Sequence, residues 1–227
     1  MSEITRLIVV RHGNTFNSGD TILRVGSATD IPLTEKGLLQ GEAVGKSLLA
    51  KGLSVDTIFH APLQRTVQSA EGILKSYPAA QMSMADFLTE LDYGDDDGKP
   101  EDEVVLRLGK AAFPEENSPE RLYEAGKTVL KKWDSEAVLP PGWEFLAGRV
   151  AQLEKDWQNF AGEVLTWFSG KCVVAVTSNG IARFSKAILP AGSVLEGSLK
   201  LATGAYGIYE HCDGQWRCTA WNIRPEL

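Results

Sequence analysis

The chain has 227 residues, 43% of them hydrophobic and 23% charged; it is long enough to bury one sizeable core and too apolar for a disordered chain. With 23 Lys and Arg against 30 Asp and Glu, the net charge is -7, which excludes general nucleic-acid binding. An acidic protein that takes an anionic substrate has to gather arginines locally, because its overall field repels anions; arginines inside motifs are therefore informative. No apolar run reaches the roughly 18 residues of a membrane helix, and Met1 to Glu3 lead straight into a strand-like stretch. The expectation is a cytoplasmic protein that does not enter a membrane. Cys172, Cys212 and Cys218 are an odd number at non-metal spacing, in keeping with reduced thiols.

In chain order, Ile4 to Val10 is a short apolar run that reads as a buried strand ending at Arg11, His12 and Gly13. Apolar positions at Leu38, Leu39, Ala43, Val44 and Leu48 form a helical stripe over about residues 35–51, with Thr34 as N-cap. Val55 to Phe59 is a second strand, Leu63 to Tyr77 the next helix, stopped by Pro78, and Ala85 to Glu90 another strand or its approach. Residues 92–143 break this rhythm with an acidic run at Asp95 to Asp97 and five prolines, and read as an inserted helical cap. A helix follows over about 143–168, then a strand over Lys171 to Thr177, and finally a hairpin from Tyr206 to Trp221 around Asp213 and Gly214. In that hairpin Cys212 faces Gln215 and Cys218 faces Tyr209, so no disulfide crosses it. The fold expected is a single α/β domain over 1–227, three layers α/β/α around a mostly parallel sheet, with ligands outside the carboxyl ends of the strands.

Two nucleotide- or metal-like patterns fail. Gly41 to Ser47 nearly spells a phosphate-binding loop, but it is one residue short and lies inside a helical stripe. Aligning Gly98 with the glycine of a calcium loop puts Tyr93 and Val104 at ligand positions, which excludes that loop. With His12, His60 and His211 as the three histidines, no metal and no cofactor are expected. The stretch Arg11, His12, Gly13, Asn14, Thr15 is different. An imidazole beside a guanidinium at a strand end can attack phosphorus: the arginine forks onto phosphate oxygens and favours a neutral, nucleophilic ring.

This stretch resembles the histidine phosphatase superfamily, the phosphoglycerate mutase-like proteins, whose first motif is Arg-His-Gly-x-Thr-x-x-Asn. The likeness continues in order through Asp30 to Gly37, Ala61 to Thr66, Glu90 to Gly94, and Pro140 to Glu144 followed by Arg149. It implies His12 as phosphoryl acceptor, Arg11, Asn17 and Arg65 as the phosphate grip, and Glu90 as proton donor to the leaving oxygen. Such roles suit phosphoryl transfer, which needs charge stabilisation on the equatorial oxygens and a protonated carboxyl. Gly26 is implied for the substrate pocket, whereas Tyr93 either lines that pocket or packs under the cap.

The chain departs from the family at the second histidine, part of a Ser-His-Gly-x-x-x-Arg motif. Keeping Arg183 in register puts Ser178 at that place, and matching the glycine to Gly180 puts Asn179 there; Ser178 needs no deletion and is favoured, and both are candidate phosphate ligands. Removing one such donor costs roughly 10²–10³ in turnover. The adjacent cap arginines of the mutase branch are also missing; Arg107, Lys110, Arg121 and Lys127 are scattered. The resemblance therefore implies a metal-independent phosphomonoesterase with reduced activity, acting on a phosphorylated small molecule or a phosphoprotein. The alternative is an impaired member that binds a phosphorylated ligand or partner. Substrate and oligomeric state stay open.

Overall fold

The computed structural model describes residues 3–193, 195 and 197–227. A six-stranded mixed sheet runs in the order β3-β2-β4-β1-β5-β6. Its strands are β1 (Thr5–Arg11), β2 (Val55–His60), β3 (Gln81–Met84), β4 (Cys172–Thr177), β5 (Tyr206–Cys212) and β6 (Gln215–Ile223). Strands β3, β2, β4 and β1 are mutually parallel, and β5 and β6 complete the sheet antiparallel.

The alternation of β1 builds two cores. Leu7 and Val9 join Val173 and Ala175 on one face, where α5 (Ala147–Trp167) lays down Leu153, Trp157, Phe160 and Val164. Ile8 and Val10 join Val174 and Val176 on the other, under α1 (Glu35–Ala50) and α2 (Gln64–Leu74). Covering both faces is why β4 is buried throughout and reads as an unbroken apolar run. Helix α1 starts where its cap requires, with Thr34 Oγ1 accepting from the Gly37 N–H at 3.1 Å.

Two boundaries differ from the expectation. The strand expected over Ala85 to Glu90 lies earlier, at Gln81–Met84, and a 3₁₀ turn at Asp86–Leu88 follows it. The strand is a largely exposed edge strand of four residues, Gln-Met-Ser-Met, whose alternation is too brief to fix its bounds. Helix α2 ends at Leu74, short of Tyr77, whose ring folds inward and donates its hydroxyl to the Leu53 carbonyl at 2.9 Å.

Between β3 and α5, helices α3 (Glu101–Ala112) and α4 (Pro119–Glu136) form a hairpin over the carboxyl ends of the strands. They cross at Gly109 and Gly126, where a Cβ would strike the Leu122 and Val105 carbonyls. Trp133, Leu108 and Val104 tie this hairpin to Tyr93 and Trp143 in the α5-side core. The hairpin from Tyr206 keeps the expected register, with Cys212 opposite Gln215 and Tyr209 opposite Cys218. No helix among the described residues is long and apolar enough to cross a membrane.

Candidate active site

The sheet places the site. After β1 the chain crosses to α1 on one face, whereas after β4 it turns into the short α6 (Asn179–Ala182), whose Ile181 and Ala182 join the other core. The two carboxyl ends thus open a crevice at the point where the connections part, the preferred ligand position of such sheets. There the His12 N–H donates to the Thr177 carbonyl at 3.0 Å, so the residues just after β1 and β4 are neighbours. Gly13 permits this turn: a Cβ there would strike the Gly37 backbone.

A cavity of about 390 Å3 opens from this crevice toward the α3–α4 hairpin; its wall includes Arg11, His12, Glu90, Tyr93, Asn179 and Arg183. His12 is buried, and its Nδ1 lies 2.8 Å from the Gly13 carbonyl. A carbonyl only accepts, so Nδ1 carries the proton and Nε2 presents its lone pair. Burial, then Arg65, then Arg11 hold the imidazole well below its usual titration range, leaving it neutral.

Around this ring lie donors that no protein group satisfies. Arg11 gives Nη1 to the Leu201 carbonyl at 2.7 Å, and Arg65 gives Nη1 and Nη2 to the Thr29 and Gly26 carbonyls, each at 2.9 Å. The Nε of both arginines and the Oγ of Ser178 are buried without a partner, as are Arg24 Nε and Trp133 Nε1. An unsatisfied buried donor costs about 1–3 kcal/mol, and three of these five sit beside His12. Burial lowers the pKa of both arginines, and Glu90 is the first charge to oppose it. Glu90 is itself anchored: Oε1 accepts from the Leu91 N–H at 2.8 Å and Oε2 from the Gly180 N–H at 3.2 Å. A Cβ at Gly180 would run into that carboxylate and push it aside.

The expected residues divide. His12, Arg11, Glu90, Tyr93 and Asn179 line the cavity. Arg65 and Ser178 are buried and off the cavity wall; the Arg65 charge acts on His12, and Ser178 follows β4 with its hydroxyl unused. Asn179 faces the cavity, but its amide is engaged, with Oδ1 accepting from the Leu201 N–H at 3.1 Å and Nδ2 donating to Asp134 at 3.3 Å. Two placements need correction. Asn17 is exposed and off the cavity wall; the motif spaces its Asn one residue further from the Arg, where this chain has Ser18. Gly26 does not line the pocket either; its carbonyl holds Arg65 and its N–H donates to Asp97 Oδ1 at 2.9 Å. His60 bonds the neighbouring Ala61 carbonyl and is off the wall.

The reading from sequence missed the outer wall: Arg24, Glu101, Asp134 and Lys200. Arg24 pairs with Glu101 and lies over the rings of Tyr93 and Trp143 at 5.2 and 5.1 Å. Lys200 Nζ reaches Asp134 Oδ2 at 2.6 Å, and Arg183 reaches Oδ1 at 3.1 Å. Although burial pushes Asp134 up, Arg183 and Lys200 outweigh it and hold the carboxylate below its ordinary value. The scattered cap cations Arg107, Lys110, Arg121 and Lys127 are all off the wall, engaged with Asp96, the Glu116 carbonyl, Glu116 and Glu124 respectively. Among the described residues no three His, Cys, Asp or Glu side chains cluster to hold a metal.

Known proteins match this arrangement. The uncharacterized phosphatase PhoE of Bacillus subtilis (strain 168) is 32% identical over 224 residues, 99% of this chain and 97% of its own length. Fructose-2,6-bisphosphatase TIGAR B of Danio rerio is 35% identical over 101 residues, 43% of this chain and 38% of its own length. A crystal structure of phosphoglycerate mutase from Bacillus anthracis str. Sterne superposes with a TM-score of 0.73 at 20% identity, covering 98% of this chain and 95% of that one, a likeness of fold. The profile of the histidine phosphatase superfamily (branch 1) matches residues 7–224. A neutral buried histidine at the end of the first strand, two arginines about it and a match along nearly the whole chain lead to one conclusion: this protein belongs to the histidine phosphatase superfamily.

Proposed function

We propose that the protein is a phosphomonoester hydrolase that works through a phosphohistidine on His12, without a metal, in the cytoplasm. The observation that carries this is the pairing of a neutral His12, its Nε2 unprotonated, with the unpartnered donors of Arg11, Arg65 and Ser178. In the first step Nε2 attacks phosphorus, the P–N bond forms and the P–O bond to the leaving group breaks. Glu90 delivers the proton to the departing oxygen. Water then attacks phosphorus, gives its proton to the Glu90 carboxylate and releases inorganic phosphate, which restores neutral His12. The arginine donors bind the equatorial oxygens, where charge gathers in the transition state. Ser178 supplies a neutral donor at the place of the family's second histidine, which keeps turnover below that of a member with the imidazole.

Hydrolysis is favoured over mutase chemistry because the cap cations are turned away from the cavity. The test is hydrolysis of an aryl phosphate in chelator between about pH 5 and 8, with wild type and His12→Ala side by side. Turnover is expected in wild type and its loss in the variant; an unchanged rate in His12→Ala sinks the phosphohistidine. No turnover in either, with phosphate still protecting the fold, replaces hydrolysis with binding.

A further inference from the structure

We propose that the outer half of the cavity is a leaving-group subsite for a hydroxyl-bearing chain or ring, so that the ligand is a polyol or sugar monophosphate and not a bisphosphate. This rests on the placement of the phosphoryl group at His12 argued above. A water's share of liquid volume is about 30 Å3, so a cavity of about 390 Å3 has room for the phosphoryl group and a leaving group of small-polyol size.

Each carboxylate of this outer half is held by a cation. Arg24 is joined to Glu101, and Lys200 to Asp134. Arg183, the third cation of the wall, turns its donors on the Asn179 carbonyl, the Trp133 carbonyl and Asp134. A second phosphate or a carboxylate drawn to Arg24 or Lys200 would therefore lie against Glu101 or Asp134. Burial raises the pKa of Glu101, Arg24 opposes it and Asp134 adds to it, so the two carboxylates act on each other across the cavity. An ammonium drawn to either carboxylate meets the paired cation in the same way.

A hydroxyl suits both members of each pair, since it donates to the carboxylate and accepts from the cation. Arg24 Nε is buried without an acceptor in the protein and is available for such an oxygen. Tyr93, Ile22 and Leu130 of the same wall offer apolar surface to the C–H faces of a polyol or sugar. The phosphoryl end differs in kind, because Arg11 and Arg65 bond backbone carbonyls, with no carboxylate among their hydrogen-bond partners.

Binding is measured by thermal unfolding in the His12→Ala background, so that no ligand is consumed, with inorganic phosphate, sorbitol 6-phosphate and fructose 1,6-bisphosphate as probes. Sorbitol 6-phosphate is expected to bind at least about tenfold more tightly than either of the others, a difference of about 1.4 kcal/mol. Adding Glu101→Gln is expected to remove most of that preference, and Glu101→Lys to turn it toward the bisphosphate. Tighter binding of the bisphosphate without any change at position 101 overturns the proposal, as does a preference that both variants leave intact. Asp134→Asn checks the second pair if the Glu101 variants fold poorly. Aryl phosphate turnover of the wild type is read separately: turnover without the binding preference removes the subsite alone, and the preference without turnover removes hydrolysis alone.

Discussion

At the scale of single residues, the chemistry depends on the state of His12. Its folded-state pKa lies well below 6.5, so the imidazole stays neutral through mildly acidic conditions. The acid limb of kcat/KM set by this group, which reports the free enzyme, is expected below pH 6.5, and a limb centred at 6.5 or above overturns the assignment. The same shift has a sign for stability. The unfolded chain protonates this histidine first, so the contribution is fully present above about pH 6.5 and is lost as pH falls through the folded-state value. Measuring unfolding free energy of wild type and His12→Gln across pH 4 to 8 should show the wild type's steeper acid loss. Ser178 carries a second expectation. Ser178→His should raise aryl phosphate turnover by about tenfold or more, within the range of a single charge-stabilising donor; a rise in Asn179→His instead moves the register by one residue. Ser178 has an unpartnered hydroxyl off the cavity wall, whereas Asn179 lines the wall with its amide engaged on both sides.

At the scale of elements, the readable ones have local causes. Thr34 caps α1 through its own side chain, and Thr34→Ala is expected to cost about 1 kcal/mol in denaturant unfolding. Asp213 and Gly214 both take positive φ, the conformation that a two-residue hairpin turn demands, which is why that register was legible. The cap hairpin was legible as an interruption but not as a shape, because its tight crossing depends on Gly109 meeting Leu122 and Gly126 meeting Val105. Gly109→Ala forces the α3 and α4 backbones apart. It should cost at least about 1–3 kcal/mol and weaken ligand binding too, since α3 and α4 carry Glu101, Leu130 and Asp134 to the cavity; Ala125→Gly nearby is the control. Strand β3 was not legible because its period-two alternation spans four residues, Gln81 to Met84, too few to set it apart from a loop.

For the whole molecule, the proposed site couples ligand to fold, because the phosphate would be held from three parts of the chain: Arg11 at the end of β1, Arg65 on α2 and Ser178 after β4. Inorganic phosphate at a hundred times its Kd should add about 2.7 kcal/mol to unfolding, and Arg11→Met should remove most of that gain when the two are titrated together. The sequence was sufficient for the α/β rhythm and the family. These rest on contiguous signals: apolar runs of strand length, a cap residue before a helical stripe, and short motifs in which Arg11, His12 and Gly13 are chain neighbours. It misled at Asn17, where a short motif was matched one residue early, and it was silent on the outer wall. Arg24 and Glu101 meet across 77 residues, and Lys200 and Asp134 across 66. Each of the four reads alone as an ordinary surface charge. Their pairing, and with it the character of the outer cavity wall, arises only when the folded sheet and the cap hairpin bring those segments to one crevice, because electrostatic energy depends on distance in space and leaves no periodic trace along the chain.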